Sequence, residues 1–337
     1  MAGHRFAGVA EGWLAPGGGR RGGRRGSMLA LYQQLKMFGW VALWNPDKIV
    51  LVLVVGGLYA LLVGPYRRDI PGATPPKPAE VAAFYGALGL YYVAQGSPLY
   101  LMSHMIFWLH MVKMAIVYLL VPPLLILGIP AWMFETAFRM AWLRRLVGAL
   151  SHPLVAIFLF NGLFSIYHIP EVFDFLNTHR SAGILYAIAM FAAAWIMWWP
   201  ILNPLPDREE WSYIKKIGYI FANGMLLTPA CALLFLSDHV LYRSYYDAAV
   251  WQQMVGYCLP PGARAIDLSG LSAAQFNLLS PVDDQKLGGI LMKVLQELIY
   301  AGFIITVLGR WFREAWAKER ESTEAVLAEA RLRKRGS

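Results

Sequence analysis

Three histidines, His104, His110 and His168, offer this chain its most distinctive chemistry. The first two fall in the outer half of one apolar run, Leu99 to Leu127, and the third closes another, Val155 to Tyr167. A polar side chain inside a membrane span is costly, so it turns toward the bundle interior or a cavity and marks a site. Met111 and Met114 follow His110 at once, and Met292 lies just over a turn into a later apolar run. Imidazole with thioether is a ligand set suited to a soft ion such as cuprous copper. A single interior histidine can equally bridge two helices, and a methionine stripe is more often packing than coordination. Three histidines near one level point to a site, with His104, His110, His168, Met111 and Met292 as its candidate metal ligands.

The positions can be tested on an ideal helix, where each residue turns by about 100°. His104 and Met111 then differ by about 20°, and His110 and Met114 by about 40°. All four share an arc of about 120° with about 9 Å of rise between the histidines, too wide for one helix to close. Partners come from elsewhere: Asn161, Ser165 and His168 form a polar i, i+4, i+7 stripe, and Gly224, Thr228, Cys231 and Asp238 share a face of a later helix. Carboxylates favour harder metals, so Asp174 and Asp238 are read as orienting histidines or guarding an entrance. Lys113 and Glu297 fall near mid-span and are expected to pair across the bundle, with Lys293 as the competing i, i+4 partner of Glu297.

The elements that must position these residues follow from composition. The chain is 58% hydrophobic and only 15% charged, far from the balance of a soluble domain. Seven segments approach the roughly 20 apolar residues that a crossing helix needs. They are Ile49–Val63, Ala79–Ala94, Tyr100–Leu127, Val155–Tyr167, Ala182–Leu202, Ile214–Leu236 and Leu287–Leu308. The expected fold is all-α: a polytopic integral membrane protein with a bundle of seven transmembrane helices. Asn45-Pro46 reads as a cap and first turn for the first span, and Pro122-Pro123 should kink or end the third.

Lysine and arginine set the orientation. With the N-terminus outside and the C-terminus cytoplasmic, the inner loops and tail from Met28 onward carry seventeen, against six in the outer segments. Arg5, Arg20, Arg21, Arg24 and Arg25 oppose this bias. Residues 1–27 are therefore read as a Gly/Arg-rich disordered extension with Met28 the natural start. Residues 28–313 form the membrane domain and 314–337 a charged cytoplasmic tail. The net charge of +9 implies contact with anionic lipid and no nucleic-acid partner.

No GxSxG or HExxH occurs, and no pair of carboxylates sits within a span beside a histidine, so the chain is not read as an enzyme. Cys231 and Cys258 form no CxxC motif, and Cys231 is expected to be a buried free thiol.

Six stretches then carry a resemblance: YVAQGSPLYLMSHMIFWLHMVKM (92–114), VPPLLILGIP (121–130), FLFNGLFSIYHIPEVFD (158–174), MWWPILNPLP (197–206), GYIFANGMLLTPACAL (218–233) and LSPVDDQKLGGILMKVLQE (279–297). In this order the chain resembles the CtaG family of cytochrome c oxidase assembly factors, most closely the branch found with caa-type oxidases of Bacillus-like bacteria. The likeness spans about residues 28–313. It implies a seven-span plasma-membrane protein that matures the oxidase, with oxidase subunits and other copper chaperones as partners and copper as cargo. The residues carried over are His104, His110, His168, Asp174 and the run from Asp284-Gln285 to Met292. One departure bears on the site: many members carry histidines in the fifth span, and Ser181 to Pro200 holds none. The alternatives to copper are a b-type haem-binding or haem-handling protein, since two interior histidines can be axial ligands, and a non-metal scaffold.

Overall fold

A computed structural model of the chain describes residues 34–205 and 211–335, apart from the side chains of 261 and 325–335. Residues 1–37 form one unit and 38–337 a second, to which every element below belongs. The expected extension, residues 1–27, with its proposed start at Met28, and Arg208 of the charge count lie outside the described residues.

All regular elements among the described residues are helices. Helix α1, Gly39–Trp44, ends at Asn45, whose φ of 36° is left-handed. Asn45 makes no side-chain cap on the next helix; its Nδ2 donates back to the Ala42 carbonyl at 3.3 Å. Pro46 does open α2, Pro46–Val63, where a missing N–H costs nothing. Helix α3, Pro78–Gln95, returns along α2, with Phe84 stacked on Tyr59 at 3.8 Å and the Tyr85 hydroxyl donating to the Gly56 carbonyl at 2.9 Å.

The third apolar run is broken where the sequence suggested one helix. Helix α4, Pro98–Met102, stops, residues 103–106 turn, and α5 runs Phe107–Met114. A π-helical turn, Ala115–Leu120, follows and leads into α6, Val121–Gly128. Pro122-Pro123 therefore does not end the helix. The wide π turn relaxes the ladder just where proline would clash with the carbonyl four residues back.

Helices α7 (Ala131–Ala137), α8 (Ala141–Leu150) and α9 (Pro153–Tyr167) come next, with a 77° bend between α8 and α9. Then follow α10 (Pro170–Thr178), α11 (Arg180–Leu202), α12 (Tyr213–Leu236), α13 (Ala248–Cys258) and α14 (Pro281–Arg335). By length and composition five segments can cross a membrane: α2, the continuous Phe107–Gly128, α11, α12 and the first part of α14. The bent α8–α9 pair makes a sixth. Helix α3 coincides with the expected second span but falls outside this set, because Glu80, Gln95 and three tyrosines dilute its apolar residues. The charged segment expected as a tail continues α14 as helix to Arg335.

Helix α14 packs chiefly on α12 and α5. Gly288 and Gly289 make that wedge possible. A Cβ at Gly288 would sit 2.7 Å from the Phe107 ring and 3.0 Å from Met111, and one at Gly289 3.0 Å from the Cys231 carbonyl oxygen. The core they close includes Phe160, Phe164, Phe173 and Trp198, each almost wholly buried.

Candidate functional site

The histidines gather at the end of the bundle where the loop between α12 and α14 folds over. That loop is held by carboxylates. Asp174 of α10 accepts from the Arg243 and Ser244 backbone N–H groups, each at 3.0 Å, and from the Ser244 hydroxyl at 2.6 Å. It pins a loop and orients no histidine. The pinned segment then reaches inward twice: the Tyr242 hydroxyl donates to the His168 carbonyl at 3.0 Å, and the Tyr245 hydroxyl to the Ser103 carbonyl at 2.7 Å. Sequence reading missed both tyrosines, and no local signal marks them.

Asp284 explains the break before α5. Its two carboxylate oxygens accept from the Phe107 and Trp108 N–H groups at 2.8 and 2.9 Å, and Asn277 also donates to it. A carboxylate from α14 thus caps the start of α5. Gln285 beside it accepts from the Leu241 N–H at 2.9 Å and donates to the Leu234 and His239 carbonyls. Asp238 lies in solvent against Lys286 at 2.8 Å, and that ammonium holds its carboxyl below the usual range.

His104 consequently stands in the turn before α5, and the helical angle between it and Met111 does not apply. Its Nδ1 lies 2.8 Å from the Tyr100 carbonyl, and the Nδ1 of His168, which ends α9, lies 2.7 Å from the Phe164 carbonyl. A nitrogen facing a carbonyl must donate, so each neutral ring turns its lone pair to Nε2. The His168 Nε2 is buried and makes no hydrogen bond among the described residues. His110 is stacked between Phe107 and Tyr167, each 5.8 Å away, with the edge of Phe173 at 5.3 Å. Among the described residues neither of its ring nitrogens has a hydrogen-bond partner. His104, His168 and Lys113 are all near enough to His110 to act on its charge.

The expected thioethers divide. Met111 and Met292 are wholly buried in the core, while Met114 joins His104 and His110 on the wall of a cavity of about 800 Å³. Among the described residues no three His, Cys, Asp or Glu side chains are drawn together around one point. Both cysteines are free, Cys231 buried as expected. Cys258, at the end of α13, faces the same cavity beside Tyr100 and Lys113, and burial pushes its thiol up to about 11.

Lys113 and Glu297 are not partners. Glu297 takes the competing contact, with Lys293 at 2.7 Å, because an i, i+4 neighbour on one helix needs no cross-bundle reach. Lys113 is buried and lies over the Tyr100 ring at 5.4 Å.

Comparison with curated proteins and with solved structures gives no match. The family model described as cytochrome c oxidase caa3 assembly factor (Caa3_CtaG) matches residues 57–314, well over half of the chain and all of the histidine cluster, and the chain belongs to that family.

Proposed function

We propose that the chain holds cuprous copper for delivery to the oxidase, using His104, His110 and His168 at the outer side of the bacterial plasma membrane. In this reading the bundle has seven spans, α3 included, with the N-terminus outside. Oxidase subunits, and the chaperones that load the site, are its partners. The supporting observation is the state of the ring nitrogens. An unpaired buried polar group costs about 1–3 kcal/mol, and His110 carries two with a third on His168. A ligand that accepts lone pairs removes that cost at the His168 Nε2 and at one His110 nitrogen, the other carrying the ring proton. Neutral imidazoles suit a soft monovalent ion and bring in no anion. A relay must also release its cargo, and an open set of donors favours release over a closed cage. Met114 is a nearer thioether to the cavity than Met111 or Met292.

The large cavity beside two imidazoles also suits a haem, which is the second reading. Both are tested on protein purified in detergent, by metal content and visible spectrum together. Each single His→Ala change is expected to lower bound copper and oxidase maturation with protein level kept, and no Soret band is expected. Undiminished copper in the triple-alanine variant would place the site elsewhere. A Soret band would favour haem. Neither copper nor a Soret band in the wild type would leave a scaffold.

A further inference from the structure

The cavity is much larger than an ion requires. About 800 Å³ lies within the range of about 300–1,000 Å³ found for small-molecule sites. Its walls come from α2 to α6, α9 to α11 and the end of α13, and they differ in character from place to place. Tyr100, Lys113, Arg180 and Cys258 form a polar cationic end. Lys113 and Arg180 both lie near enough to Cys258 to act on its thiol. Elsewhere the lining mixes tyrosines and a few polar side chains with aliphatic ones, and among the aliphatic ones Leu51, Ile184 and Ile188 are 42%, 52% and 62% exposed. These three sit on α2 and α11, both apolar enough to cross a membrane, so this side of the cavity meets acyl chains.

The charges are unbalanced. Lys113 is only 7% exposed, and among the described residues no hydrogen bond or ion pair reaches it; the Tyr100 face lies 5.4 Å away, and the Cys258 thiol is near enough to act on its charge. Among the described residues the one carboxylate on the cavity wall, Asp47, is taken by Lys48 at 3.6 Å. A buried ammonium without an anion is costly, and an ionisable residue facing a cavity within a membrane protein marks a candidate site.

We infer that the cavity takes one anionic phospholipid from the bilayer, its phosphate held by Lys113 and Arg180. The acyl chains leave past Leu51, Ile184 and Ile188. A cationic end and an aliphatic side open to the membrane match the two parts of such a molecule, and a zwitterionic lipid would bring a second cation to Lys113. The inference does not depend on copper.

The test is native mass spectrometry of copper-free protein in neutral detergent, mixed with equal amounts of phosphatidylglycerol and phosphatidylcholine. Wild type is expected to keep one phosphatidylglycerol and at least tenfold less phosphatidylcholine. Lys113→Met should lower that retention at least tenfold. Ile188→Trp, a change at a residue 62% exposed, should lower it as well by blocking the chain path. Equal retention of the two lipids, or wild-type retention by either variant, would overturn the inference. So would displacement of the lipid by inorganic phosphate at millimolar concentration with Ile188→Trp behaving as wild type, since free phosphate would then be the ligand. Because copper is absent throughout, failure of the copper reading leaves this result untouched.

Discussion

At the scale of single residues, positioning matters as much as ligation. Asp284 touches no histidine, yet its carboxylate fixes where α5 begins and therefore where His110 points and where the His104 turn lies. A lost helix cap costs about 0.5–2 kcal/mol, and leaving buried donors unpaired adds to it. Asp284→Ala is expected to destabilise the protein by about 2–3 kcal/mol on that basis, read by thermal unfolding in detergent. It should also lower copper retention, with Asp284→Asn recovering part of both because one oxygen still accepts. Wild-type copper in the alanine variant would show that the start of α5 does not govern the site. The importance of Asp284-Gln285 was legible in the sequence as a motif, but its role was not. The donors it serves lie 177 and 176 residues away, beyond any local pattern. The histidines themselves were legible because an ionisable group in an apolar run stands out by composition alone.

At the scale of elements, apolar runs predicted the helices well: expected spans at 49–63, 182–202 and 214–236 became Pro46–Val63, Arg180–Leu202 and Tyr213–Leu236. Hydropathy could not show the break at 103–106, since Ser103 and His104 interrupt the apolar run only briefly and the turn there is stabilised from another helix. Nor could it show the π turn at Ala115–Leu120, which only the packing of Pro122 makes useful. Helix α14 wedges against α5 through Gly288, so a methyl there must push the helix that carries His110. Overpacking of this kind costs about 1–3 kcal/mol. Gly288→Ala is expected to lose that much stability and to lower bound copper. Gly302→Ala is the control: nothing lies within 4 Å of its added methyl, and alanine in a helix gains up to about 1 kcal/mol. Equal melting temperatures for the two variants would mean that the wedge is not tight.

At the scale of the whole molecule, the proposed delivery requires the histidine end to face outward. Lysine and arginine argue for it: Arg67, Arg68, Arg139, Arg144 and Arg145 and the tail from Arg310 all fall on the opposite side under this reading. Cys258 is a poor reporter of sidedness, although it is native to the loop-rich end. Its thiol is pushed from an ordinary 9.0 to about 11, so near neutral pH it holds about a hundredfold less of the reactive thiolate. Its labelling should rise about tenfold for each pH unit up to about 10. Exposed serines serve better. In a background with both native cysteines replaced, Ser269→Cys in the loop before α14 should react with a membrane-impermeant maleimide in intact cells. Ser322→Cys, far along α14, should react only after the membrane is opened. The reverse pattern would put His104, His110 and His168 on the cytoplasmic side. Copper bound there would lie across the bilayer from any oxidase centre exposed outside, and the relay would have to be abandoned even if the metal analysis succeeded.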